Sequence, residues 1–371
     1  MSGVGGRDAQ RTVGVGVSGS ALWRQIRRRG LTTLAVMGMS KNTGKTVALN
    51  HLLACAAHDG VAIGLTSIGR DGEERDQVFD IPKPPVRVWP GSIVATARDT
   101  LARARVRCKL LAASGVGSPM GEIVLVRVLE HGTMEVAGAS RAADQQSIIG
   151  QLRQSACALI VLDGALGRSQ HASPAVAEGM ILATGAAVGG GIGNILRKTR
   201  ERLAMLEIAQ ADAQTARRCR PVFAQGGVGV WDRAGQLVAH LDVATLNAAA
   251  ALRAFADRAP AMIALSGAVG KRLWPTLRQL LADNPGLTLV VGDGTKLFIE
   301  HADLRHFRQH GGRVLAERRI AIVGITVNPC APHGGDVVAA DLLDAARRAF
   351  PEHQVSDVMR EHELIASGVS L

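Results

Sequence analysis

Apolar residues in this chain come in short unbroken runs, and most of these end in glycine, aspartate or proline. "LTTLAVMG" (31–38), "VAIGLTSIG" (61–69), "ALIVLDG" (158–164), "GMILATG" (179–185), "AMIALSG" (261–267), "LTLVVGD" (287–293), "IAIVGITVNP" (320–329) and "QVSDVM" (354–359) read as strands. Runs of this length without alternation suit strands buried on both faces. Between the first two, Val47, Leu49, Leu52, Leu53 and Ala56 form an apolar stripe at helical spacing, from Lys45 to about His58. Asp59-Gly60 stops that helix. Strand, loop, helix, strand is the opening unit of a parallel sheet. Further helices are expected over 97–112, 141–155 and 192–210. Residues 86–96 read as a hairpin, 121–138 as a second turning near "HGT", and 222–242 as a third turning at "DRAG".

The predicted fold class is therefore α/β, a mostly parallel sheet flanked by helices, with β-hairpin insertions and a C-terminal α/β region. Residues 1–30 are rich in Gly, Ser and Arg without apolar periodicity, and read as a flexible basic arm. Residues 31–212 form the first domain. Residues 213–371 form a second, either separate or continuous with the first sheet. No repeat of fixed period is found.

Composition narrows the function classes. Of 371 residues, 47% are hydrophobic and 20% charged, enough apolar content for a sizeable core. The net charge of +11 raises the prospect of a nucleic-acid partner, but the charges are scattered and only "RQIRRRG" (24–30) is a dense basic run. There is no Tyr, and Phe and Trp are few, which argues against a base-stacking surface. The five cysteines, 55, 108, 157, 219 and 330, lie far apart and read as buried thiols in a reducing compartment. No apolar stretch is long enough to cross a bilayer and no signal-peptide core is present, so a cytoplasmic location is expected.

Lysine is scarce. It occurs only at 41, 45, 83, 109, 198, 271 and 296, and two of these fall inside "GMSKNTGKT" (38–46). Where arginine is the default cation, a lysine points to a need for a compact charge. The stretch reads as a phosphate-binding loop between strand and helix. Helix-start N–H groups and the dipole would attract phosphate, Gly44 would permit close approach, Lys45 would reach the β- and γ-phosphates, and the Thr46 hydroxyl would ligate Mg²⁺. Gly38, Asn42 and Thr43 complete the loop, and Lys41 is a candidate extra cation or a solvated loop residue. Its spacing, G-x₅-G-K-T, is one residue longer than the common form. The competing reading is an ordinary turn containing Gly-Lys-Thr.

An acidic partner for the metal follows from "ALIVLDGALGR". Asp163 emerges at the carboxyl end of a buried strand, where open α/β sheets bind ligands. A turn or helix-cap aspartate is the alternative. "LTSIGRDGEERD" (65–76) reads as a switch segment ordered by the γ-phosphate, with Asp71 as a second acidic partner, or as a solvated loop. Asn328, at another strand end, could read a base edge or merely start a turn. His306 and His310 share a helix face without acidic or Cys ligands, so packed or solvated histidines are the better reading. "LSGAVGKRLW" lacks the hydroxyl residue after Lys271, and "VGDGTKLF", with Asp293 and Lys296, does not have the order of a guanine-reading motif.

The longer loop resembles that of dethiobiotin synthetase and the cobyrinic acid amidation enzymes, in the BioD- and MinD-like class of P-loop NTPases. "VLDGALG", "MILATGAAVGGGIGNILRKT" and "IVGITVNPCAP" agree with that class in order. The resemblance implies phosphate contact for Gly44, Lys45 and Thr46, metal assistance from Asp163 and base contact from Asn328. The lysine that serves the diamine substrate of dethiobiotin synthetase is missing from "TSIGRDGE", and nothing resembles a glutaminase. From about 34 to 360 the chain is similar to the ATPase subunits of the lysine 5,6-aminomutase reactivating factor. That likeness implies a Mg-ATP hydrolase. With Asp71 added from the 65–76 cluster, Lys45, Asp163 and Asp71 are the expected catalytic residues, and Thr46, Asp163 and Asp71 the expected metal holders. It would work with an adenosylcobalamin-dependent aminomutase and a second reactivase subunit, as a homo- or hetero-oligomer, exchanging damaged cobalamin. The alternatives are an ATP-dependent carboxylase or ligase acting on a small molecule, and a nucleic-acid binder suggested only by charge.

Overall fold

The computed structural model describes residues 20–67, 85–164, 176–332 and 334–360. The chain opens with α1 (Ala21–Arg28), β1 (Thr33–Gly38), α2 (Lys45–His58) and β2 (Ile63–Ser67). β3 (Val86–Val88), β4 (Ile93–Ala97), α3 (Arg98–Leu101), β5 (Cys108–Ser118), β6 (Gly121–Val128) and β7 (Gly132–Met134) come next. Then follow α4 (Ala142–Gln154), β8 (Leu159–Asp163), β9 (Gly179–Gly185) and α5 (Gly191–Leu206). A second group comprises α6 (Ala213–Gln225), β10 (Val228–Trp231), β11 (Leu237–Leu241), α7 (Ala249–Arg253), β12 (Met262–Leu265), β13 (Val269–Gly270), α8 (Trp274–Asp283), β14 (Thr288–Val291), β15 (Leu297–Phe298), α9 (His301–Gln309) and β16 (Arg313–Ala316). β17 (Ile322–Asn328), α10 (Ala339–Ala349) and β18 (Val355–Ser356) close the described chain.

Among the described residues, nine strands form the main sheet in the order β18-β17-β9-β1-β8-β2-β4-β6-β5. All neighbours from β18 to β4 pair in parallel, and β6 is antiparallel to both β4 and β5. The protein is thus mixed α/β, with a large, mostly parallel central sheet flanked by helices. Both faces are buried, as parallel strands require. Ala35 and Met37 of β1 face one core with α4, α5 and α10, while Leu34 and Val36 face the other with α1 and α2. A second sheet, β11-β10-β12-β14-β16, carries its own core against α7, α8 and α9.

Several expectations are corrected. Residues 20–30 are not a flexible arm. Ser20 caps α1 by accepting from the Trp23 amide, and Leu22, Trp23 and Ile26 are buried, while Arg24, Arg27, Arg28 and Arg29 stay exposed. Leu22 packs over Gly324 of β17, and the Trp23 indole N–H donates to Asp59 at 2.7 Å. The basic run is the wet side of a docked amphipathic helix. Trp23→Ala should therefore destabilise the fold by about 3–5 kcal/mol. Urea unfolding checks this, and a loss under about 1 kcal/mol would show that α1 contributes no packing.

Neither hairpin of the middle region forms as expected. β3 pairs with β7 in a separate two-stranded ribbon, while β4 and β6 lie together in the main sheet. The helix expected over 97–112 is the four-residue α3, and β5 starts at Cys108. The hairpin at 222–242 is present as β10 and β11. Of the strands after residue 213, β17 and β18 lie in the first sheet and β10–β16 lie outside it. No helix among the described residues is long and apolar enough to cross a membrane.

Candidate functional site

β1 lies between β8 and β9, and the chain leaves it by α2 towards β2 on one side, whereas β9 leads on to β17 on the other. Ligands of open parallel sheets bind at such a reversal, outside the carboxyl ends of the strands. The 38–46 loop is built there. The Met39 amide extends the β1–β9 ladder by donating to Ala183 O at 2.9 Å. The Thr43 hydroxyl donates to Ser40 O at 2.9 Å and closes the turn. Asn42 and Gly44 adopt positive φ, 61° and 90°.

Position 38 has room only for glycine. A Cβ there would lie 2.7 Å from Thr43 Oγ1 and 2.8 Å from Lys45 Cγ. The Lys45 stem therefore runs back across the strand end, where any side chain at 38 would displace it. Gly44 caps α2 without a side-chain hydrogen bond, and the first turn of that helix has no acidic residue. Its first N–H groups and positive dipole end thus lack the usual internal anion, the condition under which a helix start binds an external one. Lys41 is exposed; Lys45 and Thr46 are half-buried.

Asp163 closes β8, in register with Ser67 of β2, on the strand beside β1. It is only 8% exposed, and among the described residues none forms a hydrogen bond or ion pair with it. A nearly buried carboxylate without a protein partner is costly unless solvent or a cation satisfies it. Among the described residues no group of three or more His, Cys, Asp or Glu could hold a metal ion. Mg²⁺ does not need one, since it is commonly held by one or two carboxylates together with substrate phosphates. The oxygen donors Thr46 and Asp163 fit that chemistry. Asp71, with most of the 65–76 segment, lies outside the described residues.

Asn328 Oδ1 accepts from the Cys330 amide at 3.2 Å, which suits the turn reading. Its side-chain Nδ2 donates to Asn42 O at 3.1 Å, so the amide engages the loop rather than an open base site. The secondary candidates are structural. Asp293 caps the 294–296 turn, accepting from the Thr295 amide at 2.8 Å and from its hydroxyl. Lys271 pairs with Glu300 on the surface at 2.8 Å. The His306 and His310 rings stack at 4.0 Å, with Arg278 beside His306. None of the five cysteines is in a disulfide. Burial pushes the Cys157 thiol up to about 11 and the Cys219 thiol up to about 12, but Cys330 is exposed, against the expectation of five buried thiols.

Sequence reasoning missed a contact at the end of β2, the strand next to Asp163. The fully buried Gln145 of α4 donates through Nε2 to Ser67 O and to Ala139 O, and among the described residues its Oε1 has no partner. No motif marks a lone glutamine in a polar helix start. Gly185 had a visible signal, as the terminal glycine of a buried run, and it sits against Asn328. Comparison of the chain with family models, with curated proteins and with solved structures gave no match.

Proposed function

We propose that this chain is a Mg²⁺-dependent P-loop ATPase of the BioD-like class, acting as a reactivating factor for an adenosylcobalamin-dependent aminomutase. The observation that carries the nucleotide reading is the pairing of two unmet charges at one sheet edge. The α2 start, whose Gly44 cap brings no side-chain acceptor, calls for an anion, and the nearly buried Asp163 on the neighbouring strand, without a hydrogen-bond or ion-pair partner among the described residues, calls for a cation. Mg-nucleotide supplies both. The α2 N–H groups and Lys45 hold the β- and γ-phosphates, with Gly38 leaving room for the lysine stem. Thr46 and Asp163 would hold Mg²⁺, which supplies charge neutralisation at the phosphates. Asp163 also orients water at the strand end.

The partner-directed half of the proposal rests on the likeness of "GLTSIGRDGEERD", "SPMGEIVLVR" and "LIVLDGALGRSQHASPAVAEGMILATGA" to reactivating-factor ATPases. Ser67, where the description of β2 ends, is in register with Asp163. The γ-phosphate switch role proposed for the segment that includes Asp71 rests on its sequence and on that likeness.

The test is phosphate release from Mg-ATP by the purified chain, alone and with an aminomutase carrying adenosyl-free cobalamin. Hydrolysis stimulated by that enzyme, with return of aminomutase activity on adding adenosylcobalamin, is expected. Hydrolysis tied instead to a stoichiometric small-molecule product would favour the carboxylase or ligase reading. No hydrolysis under any of these conditions would sink the ATPase assignment.

A further inference from the structure

Asn328 reaches the loop from far away in sequence. It ends β17, the strand that carries the chain back from the second sheet, and it pairs with Gly185, the last residue of β9. Its position is fixed on three sides. A Cβ at Gly185 would lie 2.0 Å from Asn328 O, and a Cβ at Gly44 would lie 3.1 Å from Asn328 Cβ. The Cys330 amide donates to Asn328 Oδ1 at 3.2 Å. That bond decides which end of the side-chain amide is oxygen and which is nitrogen. The nitrogen is left to meet the Asn42 carbonyl at 3.1 Å.

We infer that Asn328 is a positioning residue for the phosphate-binding loop: its amide engages the Asn42 carbonyl and keeps the loop in its anion-binding form. A loop that binds phosphate must converge N–H groups on the anion, and every carbonyl in it must be turned elsewhere and satisfied. Asn42 adopts the left-handed conformation, which asparagine tolerates better than most residues but which still needs support. The carbonyl of Asn42 belongs to the peptide two residues before Gly44. Released from Asn328, it becomes free to rotate towards the phosphates, where it repels them. The loop then populates its binding form only part of the time, and apparent affinity falls by that fraction. Glycine at 44 and at 185 is what lets Asn328 come close enough to make the contact.

This inference rests on the nucleotide reading above, and the experiment separates the two. Binding of Mg-ATP is measured calorimetrically for wild type, Asn328→Ala and Asn328→Asp, with a thermal melt of each. Asn328→Ala should weaken binding by about tenfold, the cost of one unmade hydrogen bond to a carbonyl that is then unsatisfied. Asn328→Asp should weaken it further at neutral pH, because the introduced carboxylate faces a carbonyl oxygen and sits near the phosphates. Its penalty relative to wild type should shrink as pH falls towards about 5, where the carboxyl begins to protonate and can donate as the amide did. A packing role alone would lower melting temperatures without that pH-dependent rescue. Wild-type affinity in both variants, or a penalty in Asn328→Asp that ignores pH, would overturn the inference. Should Asn328→Asp fail to fold, the Asn328→Ala affinity decides by itself. Wild type that does not bind Mg-ATP would overturn the nucleotide reading, and this inference with it.

Discussion

Replacing Lys45 with alanine should reduce ATP hydrolysis by at least about a hundredfold, the loss seen when a single preorganised charge or donor is removed from a developing anion. The fold should survive. Lys45 is half-buried at the first position of α2, and its stem lies over Gly38 rather than in either core. Alanine is the better helix former, so the helix itself loses nothing. Arginine should fail as a replacement too. Its planar guanidinium is a broad fork, whereas the proposed phosphate contact calls for a compact point charge. Phosphate release by the variant, alongside its melting curve, checks the expectation. Turnover at the wild-type rate in a folded Lys45→Ala protein would mean that the phosphates bind elsewhere.

The opening β-loop-α-β unit was legible because every local signal agreed. An apolar run ends at Gly38, a helical stripe starts at Lys45, and Asp59-Gly60 ends it, and α2 spans Lys45–His58. β5 was misread because "ARARVRCKLLAAS" is made of good helix formers, and edge pairing with β6 overrides that preference. Nor could alternation reveal it: Leu110, at 60% exposure, lies on an edge strand that buries neither face well. "WPG" did mark a turn, but whether its flanking strands pair with each other is not a local property. β3 found β7 and β4 found β2 instead. In α1 the arginines dominated the reading, although Leu22, Trp23 and Ile26 already share one helical face.

Legibility of the site divides the same way. Gly38, Gly44, Lys45 and Thr46 lie within one short stretch, so their spacing makes them candidates. Asp163 becomes a candidate through its place at a strand end. The contact between Asn328 and Asn42 spans 286 residues and depends on β17 returning to β9, which no spacing encodes.

The second large effect is expected at Gly138, which no motif includes. The segment after β7 crosses the end of β2, and a Cβ on residue 138 would lie 1.7 Å from Ser67 O and 2.7 Å from Ser67 C. These are backbone atoms of a strand paired on both sides, with β8 and with β4. They cannot rotate away as a side-chain tip would, so the crossing segment or the strand end must shift. Gly138→Ala should cost about 3 kcal/mol, the upper part of the range for overpacking. Because Ser67 is in register with Asp163 and is held by Gln145, hydrolysis should fall more than stability alone accounts for. Gly150 provides the control. It lies inside α4, where an added Cβ meets nothing within 4 Å, so the same change should stabilise by about 0.5–1 kcal/mol. Urea unfolding of the two variants reads the difference directly. Equal and small effects would show that the crossing over Ser67 is looser than its geometry states, and that the end of β2 beside Asp163 yields to it.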